Sequence, residues 1–349
     1  MGKTVFQACA FAAFVTLMTL RPAHAGAQQA TAWPAPSRVS LSWIDSTRPA
    51  SWTVDTTVRR GMLVHVYFRE DVKAPAPLVL FSTGRSVAPD AYETLARHLV
   101  TRGYVVAIVD HLGERSGQQL PNGTAVPNLL DHAEPDRKSP SFRVQDSVFR
   151  RRWVEVRAAD LSAARAYLQN LAAVGGNALS GRLDAKSAAA GHSMGGLSAA
   201  KACERDAAFT ACANLDGLSD SLPMHVDADT MIARQPFLFL GKPMPRRPDD
   251  ALKRDNMTRA QDDEIIARMT RRFNVLMGSA KGGSMKIIVP DADHMDFAAS
   301  GDGATGRIIR ANLTAFLDLW VRGIKPSLED VAPYGAGVTM IRYLPRNPP

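Results

Sequence analysis

The sequence predicts an α/β protein with a mostly parallel central sheet and helices on both faces. Three observations carry that prediction. Short apolar runs recur that read as strands buried on both faces, among them Leu78–Ser82 (LVLFS), Tyr104–Val109 (YVVAIV) and Pro236–Leu240 (PFLFL). Stretches with apolar residues at helical spacing alternate with them. A Gly-x-Ser-x-Gly motif, Gly191 to Gly195, stands where one strand-like run passes into a small-residue helical stretch.

The first 25 residues read as a signal peptide outside this fold. Lys3 supplies the basic start, Val5 to Leu20 is apolar with only Gln7, Thr16 and Thr19 interrupting, and Ala23-His24-Ala25 is a small-residue cleavage site. The apolar run is short for a bilayer span and Arg21-Pro22 breaks it. The expected mature chain is exported, starts near Gly26 and has no transmembrane segment. Loss of Lys3 and Arg21 takes the formal charge from +8 to +6.

Residues 26–56 read as an Ala/Pro/Gln-rich leader and a first strand at Val39–Ile44, and residues 57–349 as a single domain. That domain opens on a strand at Thr57–Phe68. Its Met62, Val64, Val66 and Phe68 alternate with Leu63, His65 and Tyr67, the pattern of a half-exposed strand. After LVLFS comes a turn at Thr83–Ser86, then a helix over Asp90–Arg102 with Tyr92, Leu95, Ala96 and Leu99 on one face, stopped by Gly103. YVVAIV follows and ends at Asp110-His111.

The rhythm then breaks. Residues 112–148 are polar and carry Pro121, Pro127, Pro135 and Pro140, which reads as a loop or insertion near the active site. Its few apolar residues, Leu120, Val126, Leu129, Leu130 and Phe142, suit one wall of an acyl pocket better than a large interfacial lid. A helix over Arg150–Leu171 presents Val154, Leu161, Ala164 and Leu168 on one face. Further on, strands are expected at Ser187–Gly191, Ala211–Leu215, Pro236–Leu240 and Met285–Val289. Helices are expected at Leu197–Glu204, Thr258–Leu276 and Ile308–Val321, the second with Thr258 as N-cap and Gln261 in a capping box.

The basic residues are scattered in short pairs and one triplet, Arg150-Arg151-Arg152, without interleaved aromatics, which argues against a nucleic-acid partner. Removal of Cys9 with the signal leaves Cys203 and Cys212. In an oxidising compartment these are either bridged or two small buried hydrophobes.

The motif names its nucleophile. Ser193 must sit on a tight strand-to-helix turn, with glycines where strand and helix approach and a helix N-terminus facing the developing negative charge. On such a turn the order along the chain is serine, acid, histidine. Only His225 and His294 follow Ser193; His294, in the loop after MKIIV, is the expected base. Asp216, directly after ACANL, is the expected acid, and Asp249 is the runner-up. Asp291 and Asp293 are expected to hydrogen-bond within their loop. The oxyanion donors are expected to be the backbone amides of Met194 and of Arg85.

With these residues placed, the chain resembles the platelet-activating-factor acetylhydrolase and dienelactone-hydrolase-like branch of the α/β hydrolases. LVLFSTG resembles that group's strand and turn, HLVTRGYVVAIVDHLG its next strand, GHSMGG its elbow, ANLDG its acid site and DADHMDF its histidine loop. Thr83 departs from the histidine common at that position. The resemblance spans roughly residues 57–320. It implies an α/β-hydrolase fold and a serine esterase acting on a small-molecule or lipid ester with short or oxidised acyl groups, without a cofactor or metal. A cutinase- or lipase-like polyester or lipid hydrolase is the alternative within the class. A non-catalytic binding protein of the same fold is the alternative outside it.

Overall fold

The computed structural model describes residues 35–343 apart from 52–54, 121, 129–141, 218–233, 245, 255, 299–300, 302 and 325–334. The expected signal peptide and His225 lie outside the described residues.

Among the described residues, nine strands form one sheet in the order β1-β2-β4-β3-β5-β6-β7-β8-β9. They are β1 (Ser37–Pro49), β2 (Arg59–Phe68), β3 (Ala76–Ser82), β4 (Val105–Asp110), β5 (Leu183–His192), β6 (Ala211–Leu215), β7 (Phe237–Gly241), β8 (Ser284–Ile288) and β9 (Thr339–Tyr343). The central run from β4 to β8 is parallel; β2 and β9 flank it antiparallel, and β1 pairs antiparallel with β2 at the edge. Among the described residues the α-helices are α1 (Glu93–Thr101), α2 (Phe142–Ala173), α3 (Met194–Arg205), α4 (Asp249–Arg254), α5 (Arg259–Ser279) and α6 (Ala304–Leu317).

Alternation along the strands builds two cores. Val79, Phe81, Val106, Ile108, Ala188 and Ala190 face α1 and α6, where Leu95, Leu99, Leu313 and Phe316 pack on them. The intervening Leu78, Leu80, Ala107, Val109 and Ala189 face α2, α3 and α5. The apolar runs are continuous because both faces of these strands are covered. Each buried leucine or phenylalanine contributes about 1.5–3 kcal/mol of transfer free energy.

Several expectations shift at their ends. The helix expected over Asp90–Arg102 opens as a turn of 3-10 helix at Pro89–Tyr92 before α1. Thr258 caps α5 through the full capping box with Gln261. The strand expected to be half exposed, β2, is not: Tyr67 is fully buried and Leu63 and His65 are half-buried. The reason is its place second from the sheet edge, where Tyr67 joins the α1-side core. Residues 142–148, expected as loop, are the first two turns of α2. Residues 112–120 and 122–128 form turns and one isolated bridge, Gln119 with Ala125, and Leu120 and Val126 pack with Ala50 and Leu112. Sequence reading missed β9 altogether, a half-exposed edge strand of five residues, and the short α4.

Candidate active site

The parallel strands end on one side of the sheet, and every expected site residue within the described chain except Asp249 follows such an end. Ser193 follows β5 with φ 56° and ψ −124°, a conformation that costs a non-glycine residue about 1–3 kcal/mol. Its amide donates to the Leu215 carbonyl at 2.9 Å and Gly196 donates back to the Ser193 carbonyl at 2.9 Å, which hold the turn shut. Two glycines make that turn possible by close approach. A Cβ on Gly191 would strike the Gly195 backbone, and one on Gly195 would strike the carbonyls of Ser82 and Thr83. Helix α3 therefore starts directly beneath β3 and β5.

Asp216 follows β6, also at positive φ, 48°. This turns its carboxylate across the strand ends toward the loop after β8. Oδ2 lies 2.6 Å from His294 Nδ1, and Oδ1 accepts the Lys242 amide at 3.3 Å. Asp216 is buried while the His294 ring is 37% exposed, so the pair has one dry end and one open end. His294 Nε2 lies 3.0 Å from Ser193 Oγ. The histidine sits at the start of a 3-10 turn, His294–Ala298, which Phe297 and Ala298 anchor in the core. Asp293 and Asp296 hydrogen-bond to each other within that loop.

Asp249, the runner-up acid, is not part of this group. It lies in the first turn of α4, exposed, and pairs with Arg259.

The turn after β3 is held from below. Arg157, fully buried on α2, donates to the Thr83 carbonyl at 2.5 Å and the Gly84 carbonyl at 3.5 Å, and pairs with buried Glu114. With both carbonyls turned down, the amides of the turn face the other way. Gly84 donates its amide to Tyr92 Oη at 2.6 Å, so the following amide, that of Arg85, is the candidate donor next to Met194. Phe149 and Trp153 on α2 pack with Met194, and the Arg85 guanidinium lies 5.2 Å from the centre of the Phe149 ring.

A second Ser-His-Asp string lies deeper. Ser82 Oγ is 2.8 Å from His111 Nε2, and His111 Nδ1 is 2.9 Å from Asp160, which also accepts from Arg60 and Arg48. Ser82, His111 and Asp160 are buried, so no substrate reaches them. Burial pushes His111 down, and its surrounding cations hold Asp160 far below the usual carboxylate range against its own burial. The string is a fully satisfied buried network that ties β3, β4 and α2 together.

Arg157, Asp160, Glu114, Tyr92 and His192 escaped sequence reading. One signal was there: Arg157 falls three residues after Val154 and four before Leu161, on the stripe expected to be buried. Among the described residues no group of acidic, histidine or cysteine side chains is arranged to hold a metal ion.

The sequence profile of the family described as platelet-activating factor acetylhydrolase, isoform II, matches residues 56–271. None of the curated proteins matches the chain. Among solved structures, the ferulic acid esterase from Streptomyces cinnamoneus is similar, with a TM-score of 0.60 and 21% identity, covering 90% of this chain and 98% of that one. At that identity the likeness concerns the fold, which is the α/β-hydrolase fold.

Proposed function

The chain belongs to the platelet-activating factor acetylhydrolase, isoform II, family of carboxylic-ester hydrolases, and we propose that it cleaves short-chain acyl esters through an acyl-enzyme on Ser193. One observation carries the reading: Oγ of Ser193, the His294 ring and the Asp216 carboxylate lie in line at 3.0 and 2.6 Å along the strand ends. Ser193 Oγ attacks the ester carbonyl while His294 Nε2 takes its proton. The tetrahedral oxyanion is held by the Met194 and Arg85 amides. His294 then gives the proton to the leaving alcohol. Water enters, loses a proton to the same nitrogen and releases the acid, regenerating Ser193. Asp216 keeps Nδ1 protonated and stabilises the imidazolium formed in each half-reaction.

The substrate side is read from α2. Phe149 and Trp153 pack on Met194, the residue directly after the nucleophile, and an apolar cluster in that position favours a short or compact acyl group. We further propose that the chain is exported. The apolar leader supports this, and so does the bond between Cys203 and Cys212.

The test is Ser193→Ala, assayed with p-nitrophenyl esters from acetyl to dodecanoyl and with a fluorophosphonate label. The expected result is loss of labelling and a fall in kcat of about 10³ or more. A variant keeping more than about a tenth of wild-type kcat rejects Ser193 as the nucleophile.

A further inference from the structure

We propose that Tyr92 and His192 are positioning residues that tie the oxyanion turn to the loop carrying the base, through one hydrogen-bonded relay from the Gly84 amide to the His294 carbonyl. The inference rests on the roles given above to Ser193 and His294.

The geometry fixes every proton in the relay. Gly84 N–H donates to Tyr92 Oη at 2.6 Å, and Tyr92 Oη is 3.0 Å from His192 Nδ1. His192 Nε2 is 2.9 Å from the His294 carbonyl oxygen. An amide can only donate, so Tyr92 accepts it and turns its own O–H toward His192. A carbonyl can only accept, so His192 carries its proton on Nε2. That leaves Nδ1 as the acceptor that the Tyr92 hydroxyl needs. One neutral tautomer satisfies all four groups, and Tyr92 and His192 are both fully buried, so no water offers an alternative.

Position follows from that closure. His192 is the variable residue of the Gly-x-Ser-x-Gly motif, one residue before the nucleophile, and its ring centre lies 4.7 Å from that of His294. The relay thus joins the turn after β3, the last residue of β5 and the backbone of His294. A Cβ on Gly84 would sit 3.0 Å from both His192 Nδ1 and Tyr92 Oη, so the absence of a side chain there leaves room for the junction. His294 itself is partly exposed, on a loop six residues beyond β8. Its carbonyl bond to His192 holds the backbone of that loop from the nucleophile's side. Burial, with the neighbouring His294 adding to it, lowers His192 to about 3. A neutral His192 spares the imidazolium of His294 a like charge beside it.

The experiment compares Tyr92→Phe, His192→Phe and His192→Gln with wild type on p-nitrophenyl acetate, and reads the ring nitrogens of His192 by ¹⁵N NMR in wild type. Both Phe variants keep an aromatic ring, somewhat larger at position 192, and lose the hydrogen bonds. The expected result is a 10–100-fold fall in kcat with KM within about twofold, because a misplaced base slows chemistry without weakening binding. His192→Gln places an amide N–H where Nε2–H stood and is expected to recover most of the loss. The expected NMR signature is a neutral imidazole protonated on Nε2 at pH 7. Either Phe variant keeping kcat within twofold of wild type, or a His192 proton on Nδ1, overturns the relay. If a variant does not fold, the other variant and the wild-type tautomer still decide. Wild-type hydrolysis that survives in Ser193→Ala would instead overturn the esterase reading, and the NMR result would stand on its own for the relay.

Discussion

The Asp216 carboxylate is oriented by more than the histidine it faces. Its backbone amide is fixed to the Leu240 carbonyl at 2.8 Å, its φ is 48°, and its second oxygen accepts the Lys242 amide. Neighbouring strands β6 and β7 therefore set its direction before His294 arrives. Asp216→Asn keeps the shape but puts an amide where an acceptor must be, and it should lower kcat by about 10³–10⁴. Asp249→Asn, on the exposed first turn of α4, should leave kcat within about twofold. The reverse ranking in a steady-state assay would move the acid. These residues were legible because motif and chain order constrain them jointly: a serine in a glycine turn, an acid at a strand end, a histidine in a late loop. Tyr92 and His192 were not. Their role depends on which proton each atom carries, and that is decided by partners about 100 residues away in the chain.

Helix α2 supports the site through three consecutive layers of its own length. Phe149 and Trp153 meet Met194, Arg157 grips the turn after β3, and Asp160 closes the network with Arg60 and His111. Two predictions belong to this element. Arg157→Met removes one partner of a buried pair and strands the Glu114 carboxylate, which is only 2% exposed. Urea unfolding should report a loss of about 3–5 kcal/mol. The double variant Arg157→Met with Glu114→Gln should recover part of it, and additive losses would argue that the pair is not coupled. Trp153→Ala should open the space beside the nucleophile and move the kcat/KM optimum toward longer acyl chains. An unchanged chain-length profile would remove α2 from the acyl pocket. The apolar stripe of α2 was legible in sequence from Val154 onward. Its first two turns were not, because FRVQDSV is mostly polar and carries no continuous apolar stripe to read. Edge strand β9 failed for a related reason: with one neighbour and half-exposed side chains, TMIRY lacks the continuous apolar run that marks the central strands.

Across the whole molecule, stability draws on buried groups that tolerate only one protonation state. The Cys203–Cys212 bond joins α3 to β6 across a separation of nine residues. Loop-closure entropy for such a link is about 2–3 kcal/mol. Thiol titration of the unfolded, unreduced protein should find neither cysteine free, and reduction should lower stability by roughly that amount. Acid should act through the histidines first. Burial lowers His98 to about 4 and His192 to about 3, and it pushes His111 down as well. Each is anchored as a neutral ring: His98 against Thr314 Oγ with Arg310 and Arg102 nearby, His192 in the relay, and His111 between Ser82 and Asp160. In the unfolded chain all three take up protons near the ordinary value of about 6.5. Their contribution is therefore complete above that pH and is lost as pH falls from about 6.5 toward 4. Asp160, held against its own burial below the ordinary carboxylate range by Arg60 and its hydrogen bonds, adds its own loss only at lower pH, as its carboxylate is forced to protonate. Stability measured by urea unfolding should then decline between pH 6.5 and 4.5 by about 1.4 kcal/mol per pH unit for each proton that unfolding takes up. His98→Leu, distant from the strand ends that hold Ser193, should flatten the decline by about one proton. A stability that stays level from pH 7 to 5 would mean that these rings are not held neutral in the folded protein.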